Sequence, residues 1–163
     1  MMNIIKIIEN NLVIKMKISI VSGKDEGPTK LNAFDNALAD AGIGDVNLIK
    51  VSSMLSGNTQ ITELKPLKPG TMVNCVLSTI TSDNPGDNII AAIAVAIGDE
   101  LGCVVEKTGI NKEKQDIIDE VIYMVKYMMK KRNVEIKNLV VKESSTTVEN
   151  IASVVSCVVY LEE

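Results

Sequence analysis

Histidine and tryptophan are absent from the 163-residue chain, and its aromatic residues amount to one phenylalanine and three tyrosines. Without histidine, the side chain that titrates nearest neutral pH and the commonest metal ligand are both missing. Catalysis must then fall to carboxylates, hydroxyls, lysines or a carbonyl cofactor, and no metal is expected. So few rings leave little for stacking nucleic-acid bases or for caging a cation. Long apolar runs are lacking too. The longest, from Ile89 to Ile97, falls well short of the ~20 residues that span a bilayer. In residues 1–16, Lys6, Glu9 and Lys15 break up the apolar positions and no small-residue cleavage site follows, which argues against a leader. The expectation is a cytoplasmic protein with no membrane partner. The 17 basic and 21 acidic residues are interspersed, so no polyanion-binding surface is advertised and nucleic acid is not an expected partner. Cys75, Cys103 and Cys157 are odd in number and set among Val, Leu and Ile, the pattern of buried, reduced thiols.

What the chain does have is apolar mass, 46% hydrophobic residues, enough for one domain with a real core. Lys17 to Val21 alternates as a strand, and Ser22 to Lys30, with Gly23, Gly27 and Pro28, reads as a loop. Leu31, Phe34, Leu38 and Ala41 then recur at helical spacing, with Thr29 as N-cap and Gly42 as the stop. Val46 to Val51 reads as a strand, and Ile61 to Ser82 as strand-rich. Asp83 to Gly86 forms a turn that can open a helix, and the all-round apolar Ile89–Ile97 reads as that deeply covered helix. Leu101 to Lys107 is a strand candidate. Asn111 to Arg132 is a long amphipathic helix striped by Ile117, Val121, Met124, Val125 and Met128. Glu135 to Glu143 and Ile151 to Leu161 read as an antiparallel strand pair. Helices and strands interleave without a regular repeat, which favours an α+β layered sandwich over a doubly wound sheet.

The most informative run is LNAFDNALADAGIGDVNLIKVSSM, residues 31–54. It joins an amphipathic helix bearing Asp35, a glycine pair, a strand holding Asn47, and the adjacent serines Ser52 and Ser53. Paired serines are most often solvated loop. A serine at the end of a rigid strand that runs into a strained turn is better placed for chemistry, because strain is stored at functional sites. With SDNPGDNIIAAIAVAI further on, and the looser GCVVEKTG, this pattern resembles the pyruvoyl-dependent arginine decarboxylases from about residue 17 to residue 161.

The resemblance implies an α/β/β/α sandwich of the pyruvoyl-dependent histidine/arginine decarboxylase type, formed by a single domain spanning 1–163. It implies a precursor that cuts itself between Ser52 and Ser53 into chains 1–52 and 53–163. The Ser53 hydroxyl attacks the Ser52 carbonyl carbon, an ester replaces the peptide bond, and elimination and hydrolysis turn residue 53 into a pyruvoyl cofactor. By the same resemblance Asn47 donates to the oxyanion of that attack, Glu106 is the general acid, and Asp35 grips the guanidinium of the substrate, L-arginine, whose product is agmatine. Glu106 follows Val104 and Val105, a setting that suits a raised pKa. Asp35 lies one turn past Leu31, at the edge of the helix's apolar face. Each also has a plainer reading: Asn47 as a solvated strand residue, Glu106 as a strand-end acid paired with Lys107 or another lysine, Asp35 as a solvated helix acid.

Six residues separate Asn47 from Ser53, about 20 Å along an extended strand. Either the chain reverses near Ser52 or a neighbouring subunit supplies Asn47, which fits the trimers that the family forms, or a hexamer built from them. Two departures stand out. Met54, Leu55, Ser56 and Gly57 follow the cut where relatives often carry proline, and the segment before Lys17 matches poorly. Two rival readings remain: a pyruvoyl decarboxylase for another amino acid, which Asp35 argues against, and a non-cleaving oligomeric binding protein of the same fold.

Overall fold

The computed structural model describes residues 15–161. Its elements are β1 (Lys17–Glu26), α1 (Lys30–Asp40), β2 (Asn47–Lys50), β3 (Met54–Ser56), β4 (Gln60–Ile61), β5 (Met72–Ser82), β6 (Asn88–Ile97), β7 (Leu101–Ile110), α2 (Lys114–Lys131), β8 (Asn138–Thr147) and β9 (Ala152–Leu161). They form a five-stranded sheet, β2-β5-β9-β1-β4, and a four-stranded sheet, β3-β7-β6-β8. The pairs β1/β4 and β2/β5 are parallel and the rest antiparallel.

Period-two side-chain patterns build the layers. Along β6, Ala92, Ala94 and Ala96 point to α2, while Ile93, Val95 and Ile97 point to the other sheet. Small residues let the helix approach closely, and β-branched ones fill the space between sheets. Helix α2 covers the four-stranded sheet with Ile117, Val121, Val125 and Met129, all buried, each contributing roughly 1.5–3 kcal/mol. Helix α1 covers the five-stranded sheet with Ala33, Ala37 and Leu38. The result is the expected α/β/β/α layering. Inside it, buried serines tie sheet to sheet through the facing backbone: Ser78 donates to Lys107 O at 3.2 Å, Ser156 to Ala91 O at 2.9 Å and Ser144 to Gly23 O at 2.8 Å. Bonded in this way, their hydroxyls escape the cost of burial.

Four local expectations need correction. Ile89–Ile97 is a central strand, not a helix: it is apolar on all sides because a helix covers one face and a sheet the other. β8 and β9 do not pair; β8 adjoins β6, while β9 lies between β5 and β1 in the other sheet. The chain changes sheets at residues 148–151, where Glu26 catches it. The loop read from Ser22 is the second half of β1, and Gly23 is there for closeness rather than turning, since a Cβ would meet Ala37 O at 2.3 Å. Leu31 is not a core residue but 74% exposed. The caps are as expected: Thr29 Oγ1 accepts from Asn32 N at 3.1 Å, and Gly42 ends α1 at φ +81°.

The three cysteines are free and buried. Among the described residues, no helix is long and apolar enough to cross a membrane. Most of the stretch read as unlike a leader lies outside the described residues.

The Glu26 carboxylate accepts from Glu149 N, Asn150 N and Ile151 N at 2.9, 2.7 and 3.0 Å. These donors, Asn150 foremost, hold its pKa below the ordinary glutamate value. A carboxylate with a lowered folded pKa adds stability above its unfolded pKa, and that stability is lost as pH falls through the folded one. Glu26→Gln should therefore melt below wild type at pH 7, and thermal melts of the two should converge as pH falls through the lowered folded pKa of Glu26.

Candidate active site

Strands β2 and β3 are edge strands of different sheets, and residues 51–53 carry the chain between them. Val51 N donates to Cys75 O at 2.9 Å, the last rung on one sheet, and Ser53 O accepts from Val104 N at 2.9 Å, the first on the other. The Ser52–Ser53 peptide lies in the crossing, with Ser52 exposed and Ser53 half-buried. Met54 N donates back to Ser52 O at 3.0 Å, closing a three-residue turn around Ser53. The positive φ values among described non-glycine residues belong to Asn58, Asn111 and Asn133, so the strained turn anticipated at the serines does not show as a left-handed backbone. Tyr160, near the end of β9, donates from its hydroxyl to Met54 O at 2.9 Å.

Glu106 is close by. Val104, bonded to Ser53, faces the space between the sheets, and Glu106 lies two residues further on the same face, about 7 Å along the strand. β3 starts opposite Cys103, so β7 is left without an edge partner where Glu106 stands. Glu106 is exposed at this rim; its partial desolvation raises its pKa, and the positive charge of Lys50 on β2 pulls the other way. Of the plainer pairings, Lys107 is taken up elsewhere, since it points to α2 and bonds Glu120 at 3.2 Å, whereas Lys50 is the lysine that acts on Glu106.

Asn47 and Asp35 are not brought to Ser53 within the chain. β2 pairs in register from Asn47↔Met72 to Lys50↔Cys75, and Val51 extends the ladder without reversal. That puts Asn47 about 13 Å from Val51. The Asn47 amide instead donates to Gly70 O of its own chain at 3.2 Å. Asp35 is exposed on the face of α1 turned away from the sheet, one turn from exposed Leu31; it is not at the edge of a buried face as its spacing suggested.

Sequence reasoning missed Tyr160, Lys50 and the Met54 N–H. The last has no side-chain signal at all, and the other two become neighbours of the site only through sheet pairing. Near the crossing Ile49 and Met54 are 40% and 37% exposed, while Met72, 60% exposed, stands at the other end of β2 opposite Asn47. A cavity of about 430 Å³ at the start of β5 and the end of β9 is lined in part by Met72, Asn74 and Tyr160, and neither serine, Met54, Lys50 nor Glu106 lines it.

Residues 17–163 match the family model for pyruvoyl-dependent arginine decarboxylase. The chain is 57% identical over 151 residues to a pyruvoyl-dependent arginine decarboxylase of Methanothermobacter thermautotrophicus, covering 93% of this chain and 100% of that one. It is 38% identical over 148 residues to one of Pyrococcus horikoshii, covering 88% and 93% of the two chains. A solved structure of a pyruvoyl-dependent histidine decarboxylase at pH 8 aligns with a TM-score of 0.46 and 15% identity, over 60% of this chain and 53% of that one. With the family model matching residues 17–163 and a relative 57% identical over 93% of the chain, this chain belongs to the pyruvoyl-dependent arginine decarboxylases.

Proposed function

We propose that the chain cuts itself between Ser52 and Ser53, converts Ser53 to a pyruvoyl group, and with it decarboxylates L-arginine to agmatine and carbon dioxide. The observation that carries this reading is the crossing, where a solvent-reachable peptide is held from both sheets while no ladder bond ties Ser52 itself. Ser53 Oγ adds to the Ser52 carbonyl carbon, the C–N bond breaks, and the nitrogen takes the hydroxyl proton, leaving an ester. Loss of the Ser53 α-proton then expels the Ser52 carboxylate, and water replaces the nitrogen as ammonia. The chains are 1–52 and 53–163, the second of 111 residues.

The residues present fit the group: Ser53 is half-buried, and Glu106, a carboxyl with a raised pKa, lies two residues along β7 from the Val104 that bonds Ser53 O. Once formed, a pyruvoyl carbonyl supplies the electron sink for the carbanion left by departing carbon dioxide. Glu106 does the acid's work, since partial desolvation keeps its proton available for return to the α-carbon. Asp35 offers two carboxylate oxygens to the planar guanidinium.

Because Asn47 and Asp35 lie away from Ser53 in their own chain, the complete site is shared between subunits of a homo-oligomer, a trimer or a hexamer built from it. Exposed Ile49 and Met54 near the crossing, with Met72 opposite Asn47, supply apolar surface for that contact.

Intact-mass analysis should find the two chains in wild type and one uncut chain in Ser53→Ala; a wild type that stays whole refutes the reading, as does a cleaving monomer for the shared site. Asp35→Asn should still cut itself but lose about tenfold to a hundredfold in kcat/KM for arginine. Removing the Lys50 charge raises the Glu106 pKa further, so Lys50→Met should carry the alkaline fall of kcat to higher pH in a pH–rate profile of the fully cut enzyme.

A further inference from the structure

Three hydrogen bonds hold the backbone around the cut. Ser53 O accepts from Val104 N at 2.9 Å, Met54 O accepts from the Tyr160 hydroxyl at 2.9 Å, and Met54 N donates to Ser52 O at 3.0 Å. The last contact falls on the oxygen that gains charge when Ser53 Oγ attacks. Ser53 and Val104 form a hydrogen-bonded pair of the antiparallel ladder, so the next pair, Met54 and Cys103, is a non-bonded one. β3 has no neighbour on its other side. The Met54 N–H is therefore not needed by either sheet.

We infer that the backbone N–H of Met54 is an oxyanion donor for the self-cleavage, and that Tyr160 is the positioning residue that keeps it aimed. The inference rests on the reading of Ser53 as nucleophile. As the Oγ–C bond forms, the carbonyl π pair moves onto Ser52 O, 3.0 Å from the Met54 nitrogen, within the range where such donors act. As the intermediate collapses, that pair returns and the C–N bond breaks. Neither Met54 nor Tyr160 gains or loses an atom.

Tyr160 matters because the turn spans only three residues. Rotation of the peptide plane that follows Ser53 swings the N–H off the Ser52 oxygen. That rotation is blocked on one side by the Val104 bond to Ser53 O and on the other by the Tyr160 bond to Met54 O. The tyrosine belongs to β9, paired on both sides within the five-stranded sheet, so it reaches across from the sheet opposite β3. The residue that becomes the new N-terminus is thereby tied, through Met54, to a strand of its own chain 53–163. Burial keeps the Tyr160 hydroxyl protonated above its ordinary pKa, and hence a donor. Asn47, which faces its own Gly70 in the chain, then serves as a second donor delivered by a neighbour rather than the sole one.

The test follows the cut in freshly synthesised full-length chain by intact mass. Tyr160→Phe removes the bond to Met54 O and keeps the ring. Met54→Pro removes the N–H, at an edge-strand position where proline costs no ladder bond. Both should cut at least about tenfold more slowly than wild type, since losing one oxyanion donor costs on that scale or more. Val125→Ala, a cavity under α2 far from the crossing, serves as a stability control, with melting of all variants compared in a Ser53→Ala background. It should melt lower than Tyr160→Phe yet cut at the wild-type rate. The inference is overturned if either site variant cuts as fast as wild type, or if Val125→Ala slows the cut as much as they do. A wild type that never cuts takes down the Ser53 reading and this one together, whereas a cutting wild type beside an equally fast Tyr160→Phe takes down this one alone.

Discussion

Between Val51 and Ser53 the chain leaves one sheet for the other, and the geometry of the site follows from that passage. A ladder bond fixes each end of the crossing, Val51 N to Cys75 O and Val104 N to Ser53 O. The intervening peptide is held in place without being covered. A peptide inside a ladder cannot serve, because attack on its carbonyl would have to break sheet pairing. A peptide in a long loop would not be aimed. The short passage between two rigid edges meets both demands, and the packed layer between sheets, with its serine-to-backbone ties, keeps the edges at fixed separation.

The same passage leaves Glu106 beside the crossing. β3 starts opposite Cys103 and Ser53 O takes the Val104 bond, so β7 continues past them without an edge partner, and Glu106 stands exposed there. Partial desolvation raises its pKa and Lys50, on the facing edge strand, lowers it. The two edges that hold the peptide therefore also set the electrostatics around this carboxyl.

How much of this could be read from sequence depended on whether one element or several carried the signal. Thr29, Gly42 and the α2 stripe were legible because capping and helical periodicity are local. The α+β layering was legible too. Ile89–Ile97 was misread because an apolar run covered on both faces gives no period to hydropathy; its alternation of alanine with isoleucine and valine held the answer, a size pattern rather than a polarity pattern. The β8–β9 pairing failed because neighbours in sequence were assigned to one sheet, and the carboxylate of Glu26 that receives the crossing chain comes from more than a hundred residues away. Ser52, Ser53 and Glu106 were found through the family pattern and the chain brings them together. Asn47 and Asp35 were found in the same way, but the single chain leaves them apart.

That division has a physical logic. Edge strands are ordinarily protected, since open backbone and apolar side chains invite pairing with another copy. Here β2 and β3 expose Ile49 and Met54, and Met72 stands opposite Asn47 on β2. A protein that needed no neighbour would gain nothing from leaving apolar surface there. If a neighbour docks on this edge, the surface that favours association and the surface that needs completing are the same, and each protomer is competent only when assembled. The in-chain Met54 N–H would let the aimed peptide start from one donor, with association supplying the next.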